Sequence, residues 1–126
     1  MQQENFSIKK RIKSFGYAFN GLKILIVEEH NSRIHIFATI CVLILGFLFK
    51  ISTFEWIAVC FAIGIVIATE IINSSIENLA DFVSPHKNDL IMKVKDLSAA
   101  AVLVSALTAI IVGIIIFLPK LIEYVG

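Results

Sequence analysis

The chain has 126 residues, enough for one domain and hardly more. Hydrophobic residues make up 58%, charged residues 17%, and mean hydropathy is +0.89, which excludes an ordinary soluble domain, where about a quarter of the residues would be charged. The net charge of +1 says little; no nucleic-acid partner is expected, and where the charges fall is more informative.

The first expected element covers residues 6–28. Its apolar Ile8, Ile12, Phe15, Phe19, Leu22 and Ile26 recur in alternating steps of four and three, which is one helical face. Lys9, Lys10, Lys13, Asn20 and Lys23 lie off it. This reads as an amphipathic helix on a membrane surface, with a helix docked on the rest of the chain as the alternative. The basic residues at this end are not followed by a short apolar stretch with a small-residue cleavage site, so no secretory leader is read here.

Next come apolar segments at 34–51, 55–76 and 97–118. A bilayer core about 30 Å thick takes roughly 20 helical residues. The third segment meets that easily, and the first two meet it with their polar shoulders counted. Strands are not expected, because the runs are long, rich in Ala, Leu and Ile, and lack a period of two. Trp56 stands where an interfacial aromatic anchor belongs. Cys41 and Cys60 fall inside apolar runs and read as small buried hydrophobes, not as a disulfide. Ser84-Pro85 is expected to end the second span, and Asp96 or Ser98 to cap the third.

Orientation follows from the basic residues. Lys9, Lys10, Arg11, Lys13, Lys23 and Arg33 precede the first span, and Lys87, Lys93 and Lys95 lie in the 82–96 connection, against Lys50 in the first connection and Lys120 in the tail. Positive-inside reasoning puts the N-terminus and the 82–96 connection in the cytoplasm and the C-terminus outside.

The second span ends in TEIINSSIENLAD, residues 69–81. At about 100° per residue, Glu70, Asn73, Glu77 and Asp81 fall within an arc of about 80°. A solvated helix end accounts for Asp81 and partly for Glu77. It accounts poorly for Glu70, about two turns deeper. Such a stripe suits Mg²⁺, which takes one or two carboxylates plus substrate phosphates, or protons. Glu28 and Glu29 before the first span, and Lys95 and Asp96 before the third, add polar groups at the same face. There is no G-x-x-x-x-G-K-[ST] and no G-x-G-x-x-G, so any nucleotide bound here is not held by a soluble kinase's phosphate loop.

The run Glu70-Ile71-Ile72-Asn73-Ser74-Ser75-Ile76-Glu77-Asn78-Leu79-Ala80-Asp81 resembles the signature of the small prokaryotic integral-membrane lipid kinases, the diacylglycerol kinase and undecaprenol kinase family. The resemblance continues through Lys95-Asp96-Leu97-Ser98-Ala99-Ala100-Ala101-Val102-Leu103, through Phe15-Gly16-Tyr17-Ala18-Phe19-Asn20-Gly21-Leu22, and through Glu29 with Arg33. It implies a homotrimer, each subunit an all-α chain with a surface helix and three membrane spans. It implies transfer of the γ-phosphoryl group of Mg·ATP to a lipid hydroxyl at the cytoplasmic face of the plasma (inner) membrane. Carried over by motif position, Glu70 would be the general base, and Glu29 and Glu77 would hold Mg²⁺ and through it ATP. Asn73 would orient Glu70 or the reacting phosphate. Lys95, Asp96, Lys10 and Tyr17 would contact the nucleotide, with His86, Lys87 and Asn88 in the loop beside it. Arg33, His35, Trp56 and Ala99 would join Glu70 around the lipid. Arg33-Ile34-His35, Glu55-Trp56 and Ser84-Pro85 look like the undecaprenol kinase branch, while the other branch typically has an acidic residue at the position of His35. Undecaprenol is therefore the expected substrate and diacylglycerol the alternative. From the residues alone, a proton-coupled carrier or a non-enzymatic membrane adaptor stays open, although a carrier places its polar groups nearer the midplane.

Overall fold

A computed structural model describes residues 7–126. All elements in that range are helices: α1 (Ile8–Glu28), α2 (His30–Leu48), α3 (Thr53–Val83) and α4 (Asp89–Val125). Phe6, the first residue of the expected surface helix, lies outside the described residues. Helices α2, α3 and α4 are each long and apolar enough to cross a membrane, with mean hydropathies of 1.7, 2.1 and 2.9 in their most apolar stretches.

Helices α1, α3 and α4 each begin where a side chain replaces a missing carbonyl partner, whereas α2, with Glu29 as its N-cap, has no side-chain cap. Ser7 accepts from the Lys10 amide at the start of α1. Ser52 and Glu55 form a reciprocal capping box at α3. Asn88 Oδ1 accepts from the Leu90 and Ile91 amides at α4. The cap of the last helix is thus Asn88 and not Asp96 or Ser98, and α4 starts about two turns earlier than its apolar run. Polar residues at a membrane surface keep their helical hydrogen bonds, so hydropathy marks the crossing stretch and not the helix end. For the same reason α2 begins at His30 instead of 34, and α3 runs past 76 to Val83, with Ser84 as its C-cap. At its other end α4 continues through Pro119 to Val125, so 118 is not its limit; a proline deletes only its own donor, and a transmembrane helix tolerates that.

The turn between α2 and α3 is a Schellman motif. The Ile51 amide donates to the Gly46 carbonyl and the Lys50 amide to that of Phe47. Lys50 takes the left-handed conformation, φ 51°. At Gly46 the helices approach closely: a Cβ there would sit 2.6 Å from the Trp56 ring. Phe47 flanks the indole, centroids 4.9 Å apart. Ile51, Val59 and Ile116 form the buried cluster at this end.

Helices α3 and α4 pack antiparallel along most of their length. Glu55–Lys120 (3.3 Å) clasps one end and Asp81–Lys95 (2.5 Å) the other, with Asn73–Ser98 (2.7 Å) between. Helix α2 packs on α3, and α1 touches both. Of the two cysteines, both free, Cys41 is half-buried and Cys60 is exposed on this chain, so the expectation that both are buried fails for Cys60. The accessible surface is 10045 Å² for 14.0 kDa, against roughly 6,700 Å² for a water-soluble folded chain of that mass. The excess is apolar helix face, as a membrane protein requires.

Candidate active site

The buried face of α3 is one stripe: Val59, Ala62, Val66, Glu70 and Ser74, in steps of three, four, four and four. The packing that makes the lower part apolar core therefore carries an acid into the interior in the upper part. Glu70 is 4% exposed. It lies about 26 Å along the axis from Thr53, near the far boundary of a bilayer core about 30 Å thick.

Helix α2 supplies its partners. Ser32, 1% exposed, donates from Oγ to Glu70 Oε2 at 3.3 Å. His35 Nε2 lies 3.0 Å from Glu70 Oε1. Ser32 and His35 are three residues apart and so share a helical face. Each carboxylate oxygen has one donor, which fixes the carboxyl plane. His35 also borders an apolar cavity of about 290 Å³ between α2, α3 and α4, lined further by Val42, Val59, Val66 and Phe117. The acid, its histidine and an apolar chamber thus adjoin.

The outer part of the stripe pairs with α4. Asn73 Oδ1 accepts from Ser98 Oγ, and among the described residues no hydrogen bond runs from the Asn73 amide to Glu70. Asp81 accepts from Lys95. Lys95 precedes the apolar stretch of α4, and the Asp81 hydrogen bond holds its ammonium above the usual lysine pKa. Desolvation acts against that rise, and the charges of Asp81 and then Glu77 add to it. Glu77 is half-buried, as is Glu29 at the α1–α2 corner. Neither carboxylate has an ion pair or side-chain hydrogen bond among the described residues. No group of three or more His, Cys, Asp or Glu that could hold a metal converges among them either. A carboxylate without a protein partner is the donor type that Mg²⁺ takes, with waters and substrate oxygens in its other positions.

Other expected site residues lie elsewhere on the chain. Arg33 donates to the Ile26 and Val27 carbonyls (2.8 and 2.5 Å) and so closes the last turn of α1. Trp56 is at the opposite end of α3, packed on Gly46. Lys10 and Tyr17 are exposed on α1, about 28 and 18 Å along the axis from Glu29. His86 and Lys87 are exposed in the α3–α4 loop, where the Asn88 side chain is occupied as the α4 cap. Asp96 borders an open dish on α4 with Asp89 and Lys93, and Ala99 is exposed beside Ser98. Ser32 and Ser98, which complete the two buried contacts, were not among the expected site residues. Ser32 carried one usable signal, its place three residues before His35.

Residues 16–117 match the family described as prokaryotic diacylglycerol kinase. The chain is 36% identical over 114 residues to the undecaprenol kinase of Bacillus subtilis, spanning 90% of this chain and 93% of that one. It is 30% identical to a diacylglycerol kinase of Synechocystis, spanning 87% of this chain and 63% of the relative. A diacylglycerol kinase of Helicobacter pylori is 34% identical, spanning 76% of this chain and 75% of that one. With the buried acid and three apolar helices of the right lengths, these similarities establish that the chain belongs to the prokaryotic diacylglycerol kinase family.

Proposed function

We propose that this chain transfers the γ-phosphoryl group of Mg·ATP to the hydroxyl of undecaprenol at the cytoplasmic face of the plasma membrane. The observation that carries the reading is Glu70. It is a buried acid near one membrane boundary, held by Ser32 and by His35, which itself borders an apolar cavity. A lipid alcohol cannot leave the membrane, so its proton acceptor must sit at the depth of its hydroxyl. Glu70 takes that proton as the lipid oxygen bonds to the γ-phosphorus and the bond to the bridging oxygen breaks, releasing ADP. His35 and Ser32 hold the carboxylate in place. Glu77 and Glu29 hold the metal, which neutralises charge on the phosphates. Lys95, kept near Glu77 by Asp81, adds positive charge beside them.

Undecaprenol is preferred because the relative named for it is similar along nearly its whole length, and because a histidine, not an acid, stands at position 35. Diacylglycerol is the second reading, favoured by the names of the Synechocystis and H. pylori relatives. The working unit is a homotrimer in which a neighbouring copy brings its surface helix, with Lys10 and Tyr17, to each nucleotide. The length of α1 between these residues and Glu29 supports this, as does the large apolar surface. A side-by-side assay of purified protein with labelled ATP tests the whole reading. Faster phosphorylation of undecaprenol is expected; preference for diacylglycerol selects the second reading, and labelling of neither ends both.

A further inference from the structure

Ser74 sits on the buried stripe of α3, one turn beyond Glu70 and one turn before Glu77. It is 9% exposed, and among the described residues its Oγ is a buried side-chain oxygen with no hydrogen-bond partner. A helical hydroxyl can return its proton to the carbonyl four residues back, as Ser14, Thr39, Thr69 and Thr108 do in this chain. Ser32 and Ser98 spend theirs on Glu70 and Asn73. Ser74 does neither, and an unmade hydrogen bond on a buried group costs stability. Among the described residues Ser75 and Ser105 make no such bond either, but Ser74 differs from them in having its oxygen fully enclosed.

Resting on the kinase reading above, we infer that the Ser74 hydroxyl is kept free to donate a hydrogen bond to the phosphoryl group in transfer. The position selects this ligand. On that reading Glu70 meets the lipid hydroxyl and Glu77 would hold the metal that neutralises the phosphates, and Ser74 lies between those two acids on the same helix face. A hydroxyl is a suitable donor to an anionic oxygen. In a site from which water is excluded, such a donor lowers the barrier more than it tightens ground-state binding.

The test compares wild type with Ser74→Ala, Ser74→Cys and Ser74→Thr in mixed micelles of detergent and lipid alcohol, reading kcat, KM for each substrate and thermal midpoint. For Ser74→Ala, kcat should fall about 10- to 100-fold while both KM values stay within about threefold, since the lost contact belongs to the transition state. Its thermal midpoint should hold or rise, because the unsatisfied group is gone. Ser74→Cys, a weaker donor of similar size, should fall between, and Ser74→Thr should keep more activity than alanine if the extra methyl is accommodated. A purely structural serine gives the opposite pattern, with midpoint lowered and kcat kept. Alanine and cysteine variants as fast as wild type overturn the inference while leaving the kinase intact. A wild type that phosphorylates no lipid alcohol removes the reading beneath it. If the alanine variant does not fold, the kcat of the cysteine variant decides.

Discussion

Glu70→Gln separates chemistry from architecture at one atom. The glutamine amide keeps an oxygen for His35 Nε2, which lies 3.0 Å from the present carboxylate. Its amide nitrogen turns toward Ser32 Oγ, which now donates at 3.3 Å but as a hydroxyl can rotate and accept. Both contacts therefore survive in a neutral form. Hydrogen bonds to charged groups contribute about 1.5–3 kcal/mol and neutral ones about 1 kcal/mol, so with two such bonds the cost to folding is about 1–4 kcal/mol. The loss to catalysis is larger. A positioned general base contributes about 10²- to 10⁴-fold, and an amide takes no proton at neutral pH. Turnover should therefore drop by at least about 100-fold, while nucleotide affinity, set by Glu29, Glu77 and Lys95 on the proposed reading, stays near wild type. The assay pairs turnover on undecaprenol with equilibrium binding of a fluorescent ATP analogue in the same micelles. A glutamine variant that turns over within about tenfold of wild type would refute the base assignment, even if binding were unchanged. Parallel losses of turnover and binding would instead show that the carboxylate organises the nucleotide site.

Four further substitutions test other parts of the argument. Glu77→Gln should weaken Mg·ATP binding, and a titration at raised Mg²⁺ should recover part of the activity; no recovery would remove Glu77 from the metal. Gly46→Ala places a methyl 2.6 Å from the Trp56 ring and should destabilise by about 1–3 kcal/mol, read by denaturant titration of Trp56 fluorescence. Trp56→Phe in the same chain, followed by circular dichroism, should recover part of that loss, whereas strict additivity would place the clash elsewhere. Lys50→Gly should stabilise by a few tenths to about 1 kcal/mol, because Lys50 holds φ 51° and glycine bears that conformation without strain; a loss of stability would mean that the lysine side chain matters more than its backbone.

The three crossing helices were legible because hydropathy is additive along the chain and bilayer thickness sets a length to compare it with. Their ends were not. Asn88 takes the cap expected of Asp96 or Ser98, since the helix continues into polar sequence where hydropathy has no signal. The polar stripe was legible as a direction on one helix, and Glu70 was correctly the residue that solvation could not explain. What it touches was not legible, because contacts between helices depend on their rotation about their own axes. Asn73 was expected to orient Glu70 or the reacting phosphate, and its contact with Ser98 on α4 had no signal in the sequence. His35 was expected beside the lipid, and nothing in the sequence signalled its place 3.0 Å from the Glu70 carboxylate. Ser32, Ser74 and Ser98 left little trace, since a serine in an apolar helix is usually satisfied by its own backbone.

The continuity of the α3 stripe explains how a chain this small can dispense with a phosphate-wrapping loop. A soluble kinase gathers both substrates from bulk water and needs a flexible glycine-rich cradle to order one of them. Here, on the proposed reading, the membrane already confines the lipid alcohol to one plane, so the protein must fix mainly the depth of its proton acceptor. A rigid helix does that by counting residues. The face that buries Val59, Ala62 and Val66 against its neighbours also buries Glu70 and Ser74, and the axial rise sets Glu70 about 26 Å from the opposite cap. Inserting one residue between Val66 and Glu70 would rotate both polar groups by about 100°, away from Ser32 and His35, while leaving hydropathy and span length almost unchanged. The site therefore depends on helical phase, and a chain with that insertion should still enter the membrane and yet fail to phosphorylate lipid; retained activity would show that the acid need not face α2.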